Sequence, residues 1–307
     1  MSALMFTLKA KLTQRVDCSA LTSDGLRGKT GAAIEHIELP MGNTNIAVAE
    51  IFTVKVGDSD RIFFSEESSK LDRIGAGMTG GDIVVEGSAG DYAGLGMKGG
   101  TLRIAGDAGI FSACAMRGGT LSIDGNAGDF LGGGLPGERR GMFGGTVIVK
   151  GNVGARAGDQ MRRGMILVAG DAGDYLGSRM SGGTVVVMGE VGAFAAYAMK
   201  RGTVLLKHSP QQLPPTFNDC GVHPFGFLSL LLPAIHTYGK PFSDLTFDAN
   251  HARRWMGDVA NVGRGEILVC GRVDPLRLIH PTHDPCGETA ATAMQTPRPT
   301  PIPQPHR

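Results

Sequence analysis

A dominant sign of charge is missing from this sequence of 307 residues: 30 basic side chains face 29 acidic ones, for a formal net charge of +1. That balance gives no global field to hold a nucleic acid or an anionic membrane, so any electrostatic function is local. Cysteine is scarce and scattered. Cys18, Cys114, Cys220, Cys270 and Cys286 stand singly and are odd in number, which argues against a disulfide framework and against a thiolate cluster. Long hydrophobic runs are also missing. The most apolar stretch, Phe225 to Ile235, is too short to span a bilayer, and no charged segment leads into an apolar one at the N-terminus. A cytoplasmic protein with reduced thiols is expected, with no membrane and no nucleic acid as partner. The common nucleophile and metal signatures, Gly-x-Ser-x-Gly, His-Glu-x-x-His and Cys-x-x-Cys, do not occur.

Glycine is abundant instead, at 48 residues, or about 16% against a usual 7%. Its excess belongs to a repeat. Met78, Met97, Met116, Met142, Met161, Met180 and Met199 are separated by 19, 19, 26, 19, 19 and 19 residues, the long interval being a seven-residue insertion near Leu131 to Gly141. Within each unit an apolar pair alternates with period two: Ile83/Val85, Leu102/Ile104, Leu121/Ile123, Val147/Val149, Ile166/Val168, Val185/Val187 and Val204/Leu206. Glycines flank every pair, so a helix of useful length is excluded and each unit reads as a short strand with tight corners. Such units bury their apolar faces only against their neighbours. The expected fold is all-β, a right-handed parallel β-helix of about seven 19-residue coils. The methionines, and a column of Tyr92, Phe111, Phe130, Tyr175 and Phe194 interrupted by Arg156, are expected in its interior.

Two stretches, Gly75-Ala-Gly77-Met-Thr-Gly80 and Gly94-Leu-Gly96-Met-Lys-Gly99, match the dinucleotide fingerprint Gly-x-Gly-x-x-Gly. A real fingerprint opens a helix after a strand, whereas these recur at the repeat period and lead into another strand. They are read as corners, which select glycine for positive φ or close packing.

The flanks differ. Residues 1–56 carry alternating stretches such as Met5-Phe-Thr-Leu-Lys-Ala-Lys-Leu12 and read as an N-terminal strand cap; 57–207 are the Gly-rich repeats, with Ile62 to Ile74 an irregular first coil. Residues 208–279 form a C-terminal cap with a helix in Phe225 to His236, and a further helix and strand in Ala252 to Val269. Residues 280–307, with prolines at 281, 285, 297, 299, 301, 303 and 305, are expected to be a disordered tail.

The tandem Met-x-Gly-Gly units with Gly-x-x-Gly-x-x-x-Gly corners resemble the C-terminal domain of glutamate synthase large subunits. They resemble more closely the C subunit of formylmethanofuran dehydrogenase, a family that includes the C subunit of the bacterial formyltransferase/hydrolase complex. The resemblance covers residues 40–275. Its more specific parts are Leu213-Pro-Pro-Thr-Phe217, and Arg254-Trp-Met-Gly-Asp258 followed by Gly263-Arg-Gly-Glu-Ile-Leu-Val269. It implies a structural subunit among A, B and D partners, which transfer formyl from tetrahydromethanopterin to a furan cofactor (methanofuran or methylofuran) and release formate. Metal and furan cofactor would then sit in the partners, with none in this chain. A dehydrogenase proper and a free-standing glutamate-synthase-like solenoid remain as alternatives.

Four groups of residues merit attention. Ile148, Leu167, Val186 and Leu205 stand between inward positions of consecutive units, so they face outward and need a cover, either the cap or another subunit. Lys98, Arg117, Arg162, Arg163, Lys200 and Arg201 follow the repeat methionines and form a basic edge suited to carboxylates, such as the glutamate-bearing side chain of the furan cofactor. Asp91, Asp129 and Asp174 share one corner position and read as solvated turn residues. His280-x-x-His283-x-x-Cys286 has metal-like spacing but lies in the tail, while His208, His223, His236 and His251 lack regular spacing and read as structural.

Overall fold

Each Gly-bounded apolar pair lies in a short strand, as its alternation requires. In the computed structural model the structure describes residues 2–65, 69–210 and 212–270. The N-terminal flank contributes β1 (Ala3–Leu8), β2 (Val16–Asp17), β3 (Glu38–Met41), β4 (Thr44–Ala47), β5 (Phe52–Lys55), β6 (Asp58–Ser65) and β7 (Leu71–Asp72), with three one-turn helices, α1 (Ser23–Leu26), α2 (Gly31–Glu35) and α3 (Val48–Ile51). The repeats give β8 (Asp82–Val85), β9 (Thr101–Ile104), β10 (Thr120–Ile123), β11 (Thr146–Val149), β12 (Met165–Val168), β13 (Ser181–Val187) and β14 (Arg201–Leu206). Beyond them come β15 (Asn218–Pro224), α4 (Leu228–His236), β16 (His251–Gly257) and β17 (Arg264–Val269). The chain is all-β in class.

One sheet of 13 strands runs β15-β16-β17-β14-β13-β12-β11-β10-β9-β8-β6-β1-β5, and a second of four runs β4-β3-β2-β7. From β6 to β14, and on to β17, every pairing in the large sheet is parallel. Like residues of successive units therefore stand side by side: Ile83, Leu102, Leu121, Val147, Ile166, Val185, Val204 and Ile267 form one buried row. All seven repeat methionines are fully buried. A second ladder of isolated bridges joins Ala89, Ala108, Ala127, Val153, Ala172 and Val191.

The aromatic column lies elsewhere than expected. Its rings stack on the outside of the units, half-exposed, and Phe194 reaches 38% exposure. Tyr92 and Phe111 stack at 5.4 Å, Phe111 and Phe130 at 4.8 Å, and Tyr175 and Phe194 at 5.2 Å. Arg156 does not interrupt the column: its guanidinium lies 6.0 Å from the Phe130 ring and 4.4 Å from that of Tyr175, and Arg73 extends the series over Tyr92 at 5.6 Å. The reason is the backbone. Every member has a φ near +60°, so the corner turns outward at that residue and aims its side chain away from the core.

The corner glycines divide by cause. Gly94, Gly132, Gly158 and Gly177 have positive φ, whereas a Cβ at Gly109 or Gly154 would overlap the aspartate of the preceding unit. Close approach, not dihedral freedom, selects the second kind.

Two expectations for the C-terminal cap are corrected. Ala252 to Val269 forms no α-helix; it is a hairpin of β16 and β17 joined by a short 3-10 turn, Val259–Asn261. β17 pairs in parallel with β14 and continues the repeat register, while β16 folds back to bind the outer edge of β17. The outward row Ile148, Leu167, Val186 and Leu205 is not a subunit interface either. These side chains are at most 9% exposed and pack against Leu228, Leu232 and Ile235 of α4 with Phe242, Leu245 and Leu268. The chain covers its own strip, because α4 carries an apolar face of matching length.

The segments named for their family resemblance converge. Phe217 packs on Gly257, where a Cβ would sit 2.7 Å from its ring, and Val259 N–H donates to the Thr216 carbonyl at 3.1 Å. Glu266 accepts from Thr203 at 2.8 Å and pairs with Arg254 at 3.0 Å. Buried Asp258 accepts from Ala198 N–H at 3.1 Å and from Ala260 N–H at 3.0 Å, so one carboxylate ties the last repeat to the turn before β17. These contacts close the last unit.

Candidate functional site

The basic edge follows from the corner's geometry. After each buried methionine the chain emerges for one residue and then turns through glycine. At Gly100, Gly119, Gly145, Gly164, Gly183 and Gly202 φ is positive. The residue before that glycine is usually glycine too, because a Cβ at Gly99, Gly118 or Gly182 would overlap the carbonyl oxygen of Thr79, Lys98 or Arg162 in the preceding unit. Lys98, Arg117, Arg162, Arg163, Lys200 and Arg201 are all exposed. None makes an ion pair among the described residues.

The six do not form one uniform edge. Lys98 lies near Asp24, whose carboxyl is held below the usual carboxylate range by hydrogen bonds from Thr79 N–H and Oγ1, with Arg27 and Lys98 adding their charge. Arg117 stacks on Phe143 at 5.2 Å. Arg162, Arg163, Lys200 and Arg201 come together instead, around an open depression of about 410 Å³ that Ser181 and Val262 also line. Arg264 stands opposite Arg201 in the next strand of the sheet. Sequence reading missed Val262 and Arg264 because they stand at the far end of the long excursion after β14, and only the strand register brings Arg264 back to the repeat.

The corner aspartates bind the protein itself. Asp72 accepts from Asp91 N–H at 2.8 Å, Asp91 from Ile110 N–H at 3.1 Å, Asp129 from Ala155 N–H at 2.8 Å and Asp174 from Ala193 N–H at 2.8 Å. Burial pushes the Asp72 carboxyl above its ordinary value, against the opposing pull of its bond from Asp91 N–H and of Arg15 at 2.5 Å. A second row, Ser88, Asp107, Asn126, Asn152 and Asp171, accepts from the next unit in the same way. The corners are exposed at Asp129 and Asp174, as expected of turn residues, and in addition bond one unit to the next.

One buried polar group had no sequence signal. Asp159 accepts from Ser178 Oγ at 2.6 Å and from Arg179 Nε at 2.9 Å. It lies under the insertion, whose Gly141 N–H donates to the Gln160 carbonyl at 2.9 Å.

His223, His236 and His251 each bond a nearby carbonyl. Among the described residues no group of three or more His, Cys, Asp or Glu is placed to hold a metal ion. The trio His280, His283 and Cys286 lies outside the described residues, as does the rest of 280–307. No helix among the described residues is long and apolar enough to cross a membrane.

No protein-family model matches the chain. Curated relatives do. The C subunit of the tungsten-containing formylmethanofuran dehydrogenase 2 of Methanococcus maripaludis strain S2 is 34% identical over 92 residues, 29% of this chain and 34% of that protein. The C subunit of the formyltransferase/hydrolase complex Fhc of Methylorubrum extorquens AM1 is 37% identical over 83 residues, 27% of this chain and 31% of that protein. The matches thus span about a third of these relatives' length. A crystal structure of the formyltransferase/hydrolase complex (FhcABCD) of M. extorquens with methylofuran contains a chain that superposes with a TM-score of 0.82 at 34% identity, covering 87% of this chain and 99% of that one.

Proposed function

Because the chain belongs to the C-subunit family of formylmethanofuran dehydrogenases and formyltransferase/hydrolase complexes, we propose that it is a non-catalytic structural subunit of a formyltransferase/hydrolase complex. Its partners are the A, B and D subunits. The assembly is cytoplasmic and moves a formyl group from formyl-tetrahydromethanopterin to a furan cofactor before releasing formate, the metal and the furan cofactor being held by the partners. In this reading the parallel units wind as a right-handed β-helix, a rigid spacer on which the other subunits sit, and the basic edge faces the carboxylates of the cofactor's side chain. The near-complete match to a chain of a formyltransferase/hydrolase complex favours this assembly over a dehydrogenase.

One observation carries the subunit role. α4 and the residues flanking it are apolar on two sides: Leu228, Leu231, Leu232 and Ile235 pack on the strip side, while Phe227, Leu230 and Tyr238 are exposed. Leu230 is 79% exposed, Phe227 41% and Tyr238 39%. From Phe225 to Gly239 there is no Asp, Glu, Lys or Arg. A soluble surface helix normally turns charge outward; this one presents an apolar face, which supports a protein partner lying on it.

The experiment is co-purification with tagged A, B and D subunits. Leu230→Glu, at a position that contributes little to the fold, should strip the chain from the assembly while its thermal unfolding stays that of the parent. Recovery of the variant at full stoichiometry would remove α4 as the contact, and recovery of the parent without partners would overturn the subunit reading.

A further inference from the structure

The second ladder, from Ala89 to Val191, ends without the cover that the strands receive. In each of its rungs the inward residue donates its N–H to the unit that follows: Ala108 to the Asn126 carbonyl, Ala127 to that of Asn152, Val153 to that of Asp171 and Ala172 to that of Glu190, all at 2.9 Å. The aromatic corner does the same, with Phe111 N–H on the Asp129 carbonyl and Tyr175 N–H on that of Ala193, both at 2.9 Å. Val191 and Phe194 are next in the two series. Among the described residues neither N–H has an acceptor, and the Val191 carbonyl lacks the N–H that Gly192 gives to the Ala172 carbonyl.

The chain supplies a further rung elsewhere but not here. β17 continues the row of strands beyond β14, and the Asp258 carboxylate takes the Ala198 N–H. On the ladder, Lys207 N–H still donates to the Val187 carbonyl at 3.1 Å, and then the path departs. Eleven residues after Met199, where the units before it place the inward Ala or Val, stands Pro210, which has no N–H. An open depression of about 300 Å³ lies at this place, lined by Glu190, Val191 and Ala193 together with Gln212.

The five rungs below define what fits on the sixth. Asp107, Asn126, Asn152 and Asp171 each accept a backbone N–H from the next unit, and Glu190 follows them in that row with nothing yet to accept. Asp171, Asp174 and Glu190 are exposed, and no cation pairs with them among the described residues. Phe194 stacks on Tyr175, and neither a second ring nor a guanidinium lies over its other face. The same column accepts guanidinium at two other places, where Arg73 closes its first end over Tyr92 and Arg156 stands in for a ring. We propose that an extended, arginine-bearing segment of a partner subunit forms the next rung. Its backbone carbonyl takes the Val191 N–H, its N–H groups reach the Val191 carbonyl and Glu190, and its guanidinium lies on the open face of Phe194. Backbone bonds set the register, and the three carboxylates select a basic segment over an acidic one. The inference rests on the subunit reading and adds to it a second contact, apart from α4, with the chemistry of the segment that makes it.

Amide hydrogen exchange resolved to single residues tests it. In the purified full chain the Val191 and Phe194 amides should exchange roughly tenfold faster than those of Ala172 and Tyr175, and in the assembly with A, B and D they should slow by at least that factor. Protection equal to that of Ala172 in the chain alone, or protection that rises with the chain's own concentration, would overturn the proposal by assigning the rung to this chain or to a second copy. p-Benzoylphenylalanine in place of Phe194 should crosslink, within the assembly, to a partner segment that carries arginine; a crosslink to a segment without arginine would also overturn it. Glu190→Lys, at an exposed position, should unfold like the parent and return the Val191 amide to the exchange of the free chain. Protection in that variant equal to the parent's would count against the proposal as well. A parent captured by A, B and D with both amides still unprotected defeats this inference alone, whereas a parent that captures no partner defeats the subunit reading and this inference with it.

Discussion

The first three repeat strands and the last four are built alike on one face and differently on the other. Inside, the rows are continuous, and Leu102 or Ile123 is as buried as Ile166 or Val204. Outside, the early strands carry Val84, Arg103 and Ser122, and the charges close among themselves: Arg103 lies 2.8 Å and Lys150 2.7 Å from the Asp124 carboxylate. The later strands carry Ile148, Leu167, Val186 and Leu205 under α4. The inner face therefore determines that the units stack, and the outer face determines what each part of the stack meets. An outward residue in this chain is a solvent residue in one half and a core residue in the other.

The sharpest test sets one side of a strand against the other. Ile123→Asp would put an unpaired carboxylate into the buried row and should cost several kcal/mol, enough to abolish cooperative unfolding in a chain of ordinary stability. Ser122→Asp next to it, facing out beside Arg103, should stay within about 0.5 kcal/mol of the parent in denaturant midpoint. Similar losses in the two would mean the alternation is misassigned.

The second test breaks the equivalence of the two outer faces. Leu167→Ala, under α4, should cost about 2 to 5 kcal/mol and make the segment around α4 easier to proteolyse. Arg103→Ala, at the like position in the early half, should cost less than about 1 kcal/mol. Equal effects would return the later outer face to the solvent.

The smallest effect is in the charged half. Burial raises the Asp124 carboxyl, but its bonds to Lys150 and Arg103 outweigh burial and hold it below the ordinary value. A depressed folded-state value contributes stability above the unfolded carboxylate value, near pH 4, which is lost as pH falls through the folded one. Asp124→Asn should lose less than about 1 kcal/mol at neutral pH, less still in high salt, and flatten the acid limb of the stability curve. An unaltered acid limb would mean the triad is only an exposed contact.

Much of this is legible in the sequence because the 19-residue period writes each decision seven times. The strand positions, the buried methionine column and the exposure of Arg162 or Lys200 need only the period and the alternation of Ile/Val with polar residues. The failures lie where a residue's direction depends on φ, or where one segment meets another once. Tyr92 and Phe111 are apolar and periodic, yet the left-handed corner turns them outward. Ala252 to Val269 has a partly helical pattern, but tertiary pairing with β14 makes it a hairpin. Whether α4 or another chain covers Leu167 depends on where a single excursion folds back, which no repeat encodes. In the site, four of the six basic residues assemble; Val262 and Arg264 could have been found by treating Gly263-Arg-Gly-Glu266 as an eighth corner.

The side-chain-to-backbone bonds of the two corner rows all run the same way. In these two corner rows, from Asp72 and Ser88 to Asp171 and Asp174, the earlier unit supplies the accepting oxygen and the later unit the backbone N–H. A chain made from its N-terminus thus exposes acceptors that are already in place when the next 19 residues arrive, and those residues need bring only backbone. Each finished rung is a template for the one after it and depends on nothing still unmade. The stack can be laid down in the order of synthesis, starting on the N-terminal strands and ending when β17 supplies a last rung on which no further repeat is laid.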